Sequence, residues 1–289
     1  MGIPAGIGII DTLIGFAHPD VKEAYRWVTS QTRDPVELAS PIEFLFKDIP
    51  DKRLGGVDDR VGLTLAEMDR WGIAMGLVGV VEPGDDGDLA LRRHPDRFIG
   101  STGADPNGGA AAVAGIRRAH ETWGVRAVTL FPAGTSPPVP INDPRMYPIF
   151  ATCVELGLPV FCTAGVPGPR LRLTTQRVEL IDEVMYDFPD LVFVIRHGAD
   201  PWADLVVKLM LKWPGLHYST SGFAPRYYPQ AIVDFANTRG VDQVMYAGYF
   251  PFGLTLDRIM GEMAQLPLRE HVWPKFLRTN ALRVLGLGR

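Results

Sequence analysis

Phe193-Val194-Ile195-Arg196-His197-Gly198-Ala199-Asp200-Pro201 is the stretch on which the reading of this 289-residue chain turns. It is a short β-rich run that delivers an imidazole at its C-terminal end, just before a Gly turn and a new helical segment. An α/β barrel presents a working residue in this way. His197 is accordingly placed at the centre of a site; the plainer alternative is a buried histidine tied to a neighbouring backbone carbonyl.

Working outward, the same unit recurs. Apolar runs stand at Ile7–Phe16, Ile73–Val81, Phe98–Ala104, Val125–Phe131, Pro159–Ala164, Leu191–His197, His217–Ser221 and Gln243–Phe250. Amphipathic stretches lie between them, clearest at Ala110–Trp123, Met146–Leu156, Arg177–Phe188, Trp202–Trp213 and Pro229–Thr238. Gly72, Gly124, Gly157 and Gly240 stand where a helix would end in a left-handed residue before the next strand. Parallel strands need crossover helices, and eight such units close on themselves, so the expected fold is α/β, a single (β/α)8 TIM-type barrel over residues 1–289. An open doubly wound sheet is the alternative, but no Gly-x-Gly-x-x-Gly follows the first run. Residues 17–62 form an insertion after the first strand, with a helix expected at Pro19–Thr29 and an apolar patch at Ile42–Phe46. Such a long loop at the C-terminal face reads as a lid or a subunit contact. The tail, Pro267–Leu287, reads as a docking helix with Trp273, Phe276, Leu277, Leu282 and Leu285 on its apolar face.

Composition narrows the function classes. A net charge of −4 with scattered Lys and Arg argues against nucleic acid as a partner. Apolar stretches are short and broken, so none reads as a membrane span. The start, Met1 to Gly6, lacks the pattern of a secretion signal, and the two cysteines, Cys153 and Cys162, fit a reducing cytosol. A cytoplasmic protein with a small-molecule ligand is expected.

Several segments together resemble the amidohydrolase-2 family. They are Gly8-Ile9-Ile10-Asp11, His94-Pro95-Asp96-Arg97-Phe98-Ile99-Gly100 with Ala104-Asp105-Pro106, and Asn142-Asp143-Pro144-Arg145-Met146-Tyr147 before Leu156-Gly157-Leu158-Pro159-Val160. Arg196-His197-Gly198 and the ending Asn280-Ala281-Leu282-Arg283-Val284-Leu285-Gly286-Leu287 belong to the same likeness. The resemblance implies a distorted barrel and the chemistry of decarboxylases, or of hydrolases that cleave carbon–carbon or ester bonds. It also implies a divalent metal held by a His-x-His ending strand 1, a His ending strand 5, a His ending strand 6 and an Asp ending strand 8. Here those positions carry Leu13 and Gly15, Thr163, His197 and Tyr249. Leu and Gly donate nothing, neutral Thr and Tyr hydroxyls are poor ligands, and one His cannot hold the ion. No metal and no cofactor is therefore expected.

Strand alternation assigns the lining. Asp11, Leu13 and Gly15 would share the inner face of the first strand, Thr129 and Phe131 that of the fourth, and Phe161 and Thr163 that of the fifth, turning Cys162 outward. The seventh would present either Ser219 and Ser221 or Tyr218 and Thr220. On the eighth, Met245, Ala247 and Tyr249 point in and Tyr246 points out. His197 is then a general acid or base for an activated substrate, Tyr249 a donor to a developing oxyanion, and Asp11 or Asp200 an orienter of the imidazole, with Asp200 read in preference as an N-cap for the helix that starts at Pro201. Leu13, Thr163, Phe131 and Phe161 would line the substrate, with Arg126 and Arg170 as clamps for a carboxylate or as solvated loop charges. His18, His94, His120, His217 and His271 are read as lying away from the working face. The expected activity is that of a hydrolase or decarboxylase that has lost the metal site and acts on a small carboxylic, β-keto or acyl-thioester substrate. The alternative is a non-catalytic relative that binds a ligand or supports a catalytic partner subunit. A homodimer through the insertion is expected, because Phe44, Leu45 and Phe46 would otherwise be an exposed apolar patch.

Overall fold

The computed structural model describes residues 3–4, 6–33, 40–46 and 48–288. Among them, eight strands lie side by side in sequence order: β1 (Ile9–Asp11), β2 (Ile73–Gly79), β3 (Phe98–Gly103), β4 (Ala127–Leu130), β5 (Val160–Thr163), β6 (Phe193–Arg196), β7 (Leu216–Ser219) and β8 (Val244–Met245). Every neighbouring pair is parallel. The fold is the TIM-type α/β barrel that the repeating runs predict. Its distortion lies at the seam, where β1 and β8 form no ladder among the described residues. Single bonds cross it instead, from Thr12 N to Tyr246 O (3.3 Å) and from Gly15 N to Phe250 O (3.0 Å).

Alternation sorts the side chains into two layers. Ile10, Leu77, Ile99, Ala127, Phe161, Val194 and Met245 fill the barrel interior. Their neighbours Ile9, Val78, Val128, Cys162, Ile195, Tyr218 and Tyr246 face the surrounding helices. Each such buried aliphatic or aromatic side chain contributes about 1.5–3 kcal/mol by leaving water. The tail closes the N-terminal end of the barrel: Ala281, Val284 and Leu285 join the interior cluster, and Asn280 donates to Val241 O and Val244 O.

The helix Ala110–Trp123 has the expected bounds, and the others fall within three residues of theirs. Two long helical expectations fail. Pro19–Thr29 is two short helices, Val21–Ala24 and Arg26–Thr29, separated by Tyr25. The tail is a turn at Glu270–Val272, a π-helical turn at Lys275–Thr279 and a helix at Asn280–Val284. Gly72, Gly124 and Gly157 are left-handed, whereas Gly240 is not; there the Phe235 ring occupies the place a side chain would take. Residues 34–39 and 47 of the insertion lie outside the described residues. No helix among those described is long and apolar enough to cross a membrane.

Candidate active site at the barrel mouth

The chain turns sharply after β6. His197, Gly198 and Ala199 take three consecutive positive φ values, 63°, 87° and 59°. A non-glycine residue in this region costs on the order of 1–3 kcal/mol and persists only where its surroundings enforce it. Here His197 N donates to Ser221 Oγ (3.2 Å), Tyr218 Oη donates to Gly198 O (3.1 Å), and Val166 N donates to Asp200 O (2.9 Å). Strain enforced at a strand end marks a place where a side chain is being aimed.

What it aims is the His197 ring, which meets the edge of Tyr249 at 5.3 Å between centroids, with the planes 72° apart. Tyr249 itself sits at φ 151°. Ser221 Oγ is 3.3 Å from His197 Nδ1. Burial, and after it the neighbouring Arg196 guanidinium, hold the imidazole down at about 3, so it is neutral near pH 7. Burial pushes the Tyr249 phenol well up, with the Asp51 carboxylate adding to the effect, and it remains an O–H donor.

The insertion completes the mouth. Tyr249 packs against Phe252 (5.8 Å) and Phe46 (6.0 Å), and His18 packs against Phe252 (5.8 Å) and Tyr25 (5.3 Å). His18 is held by the fully buried Asp51, which accepts from its backbone N (2.5 Å) and lies 2.7 Å from its Nδ1. The sequence reading that set His18 apart from the working face is corrected: it packs with Phe252 and Tyr25 and is held by Asp51. No local pattern announces a pair separated by so many residues. Asp51→Ala would leave two donors of His18 without their carboxylate and should destabilise the protein by about 2 kcal/mol. Urea unfolding would read the loss, and limited proteolysis should cut the insertion faster; an unchanged midpoint would show that the pair does not hold the insertion down.

Below the two rings lies Arg196, the residue that strand alternation could have found and the sequence reading passed over. It shares the inner face of β6 with Val194, stacks on Phe161 at 4.8 Å and donates through Nη2 to Thr12 O (2.9 Å). Thr163 pairs with it in register, and Thr12 Oγ1 is 3.2 Å from Ser219 Oγ.

The remaining expected residues are distributed as follows. Phe161 is interior, and Cys162 faces the helices, its thiol pushed up by burial. Phe131 follows β4 half-buried, with Trp27 of the insertion at 6.1 Å. Leu13 is half-buried just past β1. Of the two alternatives for β7, the one with Ser219 and Ser221 facing the site is observed. Asp11 is a correction. On β1 it is Ile10 that joins the barrel interior while Ile9 faces the helices, so alternation turns Asp11 outward toward Tyr246. There it accepts from Gly248 N (2.8 Å) and Leu13 N (2.9 Å), and burial raises its carboxyl to about 7 against the pull of those bonds. It does not orient His197; Ser221 does. Arg126 is a second correction: it precedes β4, so it stands exposed at the N-terminal end of the barrel, opposite the mouth. Arg170 is exposed and lies over Phe44 of the insertion at 4.6 Å. His217 lies away from the mouth as expected, a buried residue near the barrel floor held down at about 4 by burial. An apolar cleft of about 500 Å³, lined by Ile3, Ile7, Trp71 and Met260 among others, opens at that same floor and carries no titratable side chain.

The positions that the resemblance gives to metal ligands do not fit a divalent ion. A Cβ at Gly15 would run into the Phe252 ring, so the space of that ligand is already filled. Among the described residues no three or more His, Cys, Asp or Glu side chains gather as a metal site would require.

Comparison with known proteins agrees with the fold. A family model described as Amidohydrolase matches residues 85–287. The uncharacterised TIM-barrel protein Bb4693 of Bordetella bronchiseptica is 23% identical, with 96% of this chain and 98% of that one covered at a TM-score of 0.77. A 5-carboxyvanillate decarboxylase of Novosphingobium aromaticivorans, solved with bound manganese, is 18% identical, covering 99% and 100% at 0.70. The 2,6-dihydroxybenzoate decarboxylase of Rhizobium is 17% identical, covering 97% and 99% at 0.68. No curated protein matches the chain.

Proposed function

This chain belongs to the amidohydrolase family, and on that premise we propose that it is a hydrolase or carbon–carbon lyase of the decarboxylase type. It acts on a small carboxylic, β-keto or acyl-thioester substrate at the mouth between β6 and β8, with its own side chains in place of a metal ion. The observation that carries this reading is the contact of His197 with Tyr249, held by a strained turn on one side and an aromatic cluster on the other.

The two groups divide the work by protonation state. Tyr249 keeps its proton and can donate to an enolate or tetrahedral oxygen as charge develops there. His197 is neutral, so it acts as a proton acceptor or as a neutral N–H donor rather than as an acid. An imidazole with its conjugate acid near 3 is a weak base, which restricts the chemistry to activated substrates. No step runs through a metal.

The test is a turnover screen of β-keto acids, β-keto thioesters and phenolic acids, run on protein purified without added metal and assayed for metal content. Turnover with metal far below one ion per chain is expected. Stoichiometric zinc, iron or manganese bound at His197 would overturn the metal-independent reading. Failure of every substrate class would favour the non-catalytic relative, for which the substituted ligand positions speak.

We propose in addition that the insertion mediates a homodimer, since Trp27, Phe44 and Leu45 are exposed on it. Light scattering should report twice the 31.8 kDa chain mass; a monomer at high concentration would refute it.

A further inference from the structure

Arg196 is 6% exposed, yet no carboxylate lies within ion-pair distance of it among the described residues. It donates one hydrogen bond there, to Thr12 O, although a guanidinium carries five N–H donors, and its Nε is buried without a partner. Arginine is rarely buried unless paired, because a desolvated charge left alone is strongly unfavourable. The nearest opposing group electrostatically is Asp11 at the end of β1, which accepts from Gly248 N and Leu13 N through Oδ1, has its Oδ2 buried without a hydrogen-bond partner, and makes no ion pair with Arg196. Burial also keeps that carboxyl partly protonated near neutral pH. The guanidinium is therefore an interior cation with no counter-ion among the described residues.

We infer that Arg196 is the anchor of a carboxylate site in the barrel mouth, and that a small monocarboxylate supplies the missing counter-ion. The inference rests on the proposed function for its location, since the mouth is taken as the working site. A guanidinium and a carboxylate are both planar and match in two parallel hydrogen bonds, which fixes orientation as well as charge. Phe161 supports the guanidinium from below at 4.8 Å, and Thr163 flanks it on β5. His197 is the next residue in the chain, and its ring meets Tyr249 above. A carboxylate held on Arg196 would thus place the atoms attached to it under those two groups. Arg196 is in this account a binding and specificity residue, distinct from Arg126 and Arg170, which lie elsewhere.

Calorimetric titration of the full-length protein with benzoate, with the neutral isostere benzamide and with inorganic phosphate tests this without requiring turnover. Benzoate should bind, benzamide should bind about 30-fold more weakly or worse, and Arg196→Gln should weaken benzoate by a similar factor, with Arg196→Lys in between. Arg196→Met removes the unpaired charge, so its ligand-free melting temperature should equal or exceed that of the wild type. Equal binding of benzoate by wild type and Arg196→Gln would overturn the site. So would phosphate binding more tightly than benzoate, or a large fall in the Arg196→Met melting temperature with no preference for benzoate over benzamide, which would make Arg196 a structural tie to Thr12. Benzoate binding through Arg196 without any turnover would leave this inference standing and remove the enzymatic reading. Turnover of neutral substrates with no benzoate binding would do the reverse.

Discussion

Replacing His197 by Ala, or Tyr249 by Phe, should each slow turnover of the substrate found in the screen by about 10²-fold or more, with the melting temperature nearly unchanged. The small stability effect follows from the local bonds. Ser221 Oγ keeps the His197 backbone N as a partner at 3.2 Å when the ring is gone, and Ala at φ 63° is no more strained than His. Tyr249→Phe keeps the ring packed on Phe46 and Phe252 and removes only the hydroxyl. The wild-type rate should also show no acid limb near pH 6.5, because the imidazole is already neutral there and down toward pH 3. Stability follows with a definite sign. The unfolded chain protonates His197 near 6.5 and the native one only near 3, so the native state loses stability as pH falls through that window. His217, held at about 4, acts in the same direction. Asp11 acts oppositely: its native carboxyl keeps its proton up to about 7 against 3.8 in the unfolded chain, so its contribution is lost as pH rises through that range. His197→Ala should accordingly flatten the acid side of the stability profile. A His197→Ala variant of undiminished turnover would remove His197 from the chemistry, and a rate that falls tenfold as pH drops through 6.5 would show that the working imidazole is not the depressed one.

The second large effect is expected at Gly165→Ala, which should destabilise the protein by about 4 kcal/mol and abolish turnover in whatever fraction folds. Gly165 follows β5 at φ 90°, and a Cβ there would stand 2.5 Å from the carbonyl carbon of Ala199 and 2.7 Å from Asp200 N. Those atoms are backbone of the turn that carries His197, so they cannot swing aside as a side chain would. The change also threatens the Val166 N to Asp200 O bond that holds the turn. In the absence of such a clash, Gly→Ala usually stabilises by a few tenths of a kcal/mol up to about 1 through the unfolded chain. Gly79→Ala, where nothing stands within 4 Å, is the matched control. Denaturant unfolding of both variants decides the matter; a Gly165→Ala variant within 1 kcal/mol of the control would show that β5 does not brace the His197 turn.

What the amino-acid sequence determined by itself is the repeat of short apolar runs and amphipathic segments, and with it the parallel barrel and the side on which most strand residues lie. Alternation along one strand is a local property, so Phe161 inside, Cys162 outside, Met245 inside and Tyr246 outside could all be read from neighbouring residues. Only the tertiary structure decided the rest. The side taken by Asp11 depends on which of Ile9 and Ile10 turns into the barrel, a choice set by packing across strands that leaves no mark in Ile9-Ile10-Asp11 itself. His18 meets Asp51 only because the insertion folds back over the mouth. Arg126 and Arg170 were read together as mouth residues, yet one stands at the start of its strand and the other on a loop against Phe44, at opposite ends of the barrel. Arg196 lies within Phe193–Pro201, and alternation from Val194 points it inward. That it is a buried cation without a counter-charge among the described residues emerges only when β1 and β5 close around it, because burial and pairing are properties of the space between strands rather than of any one of them.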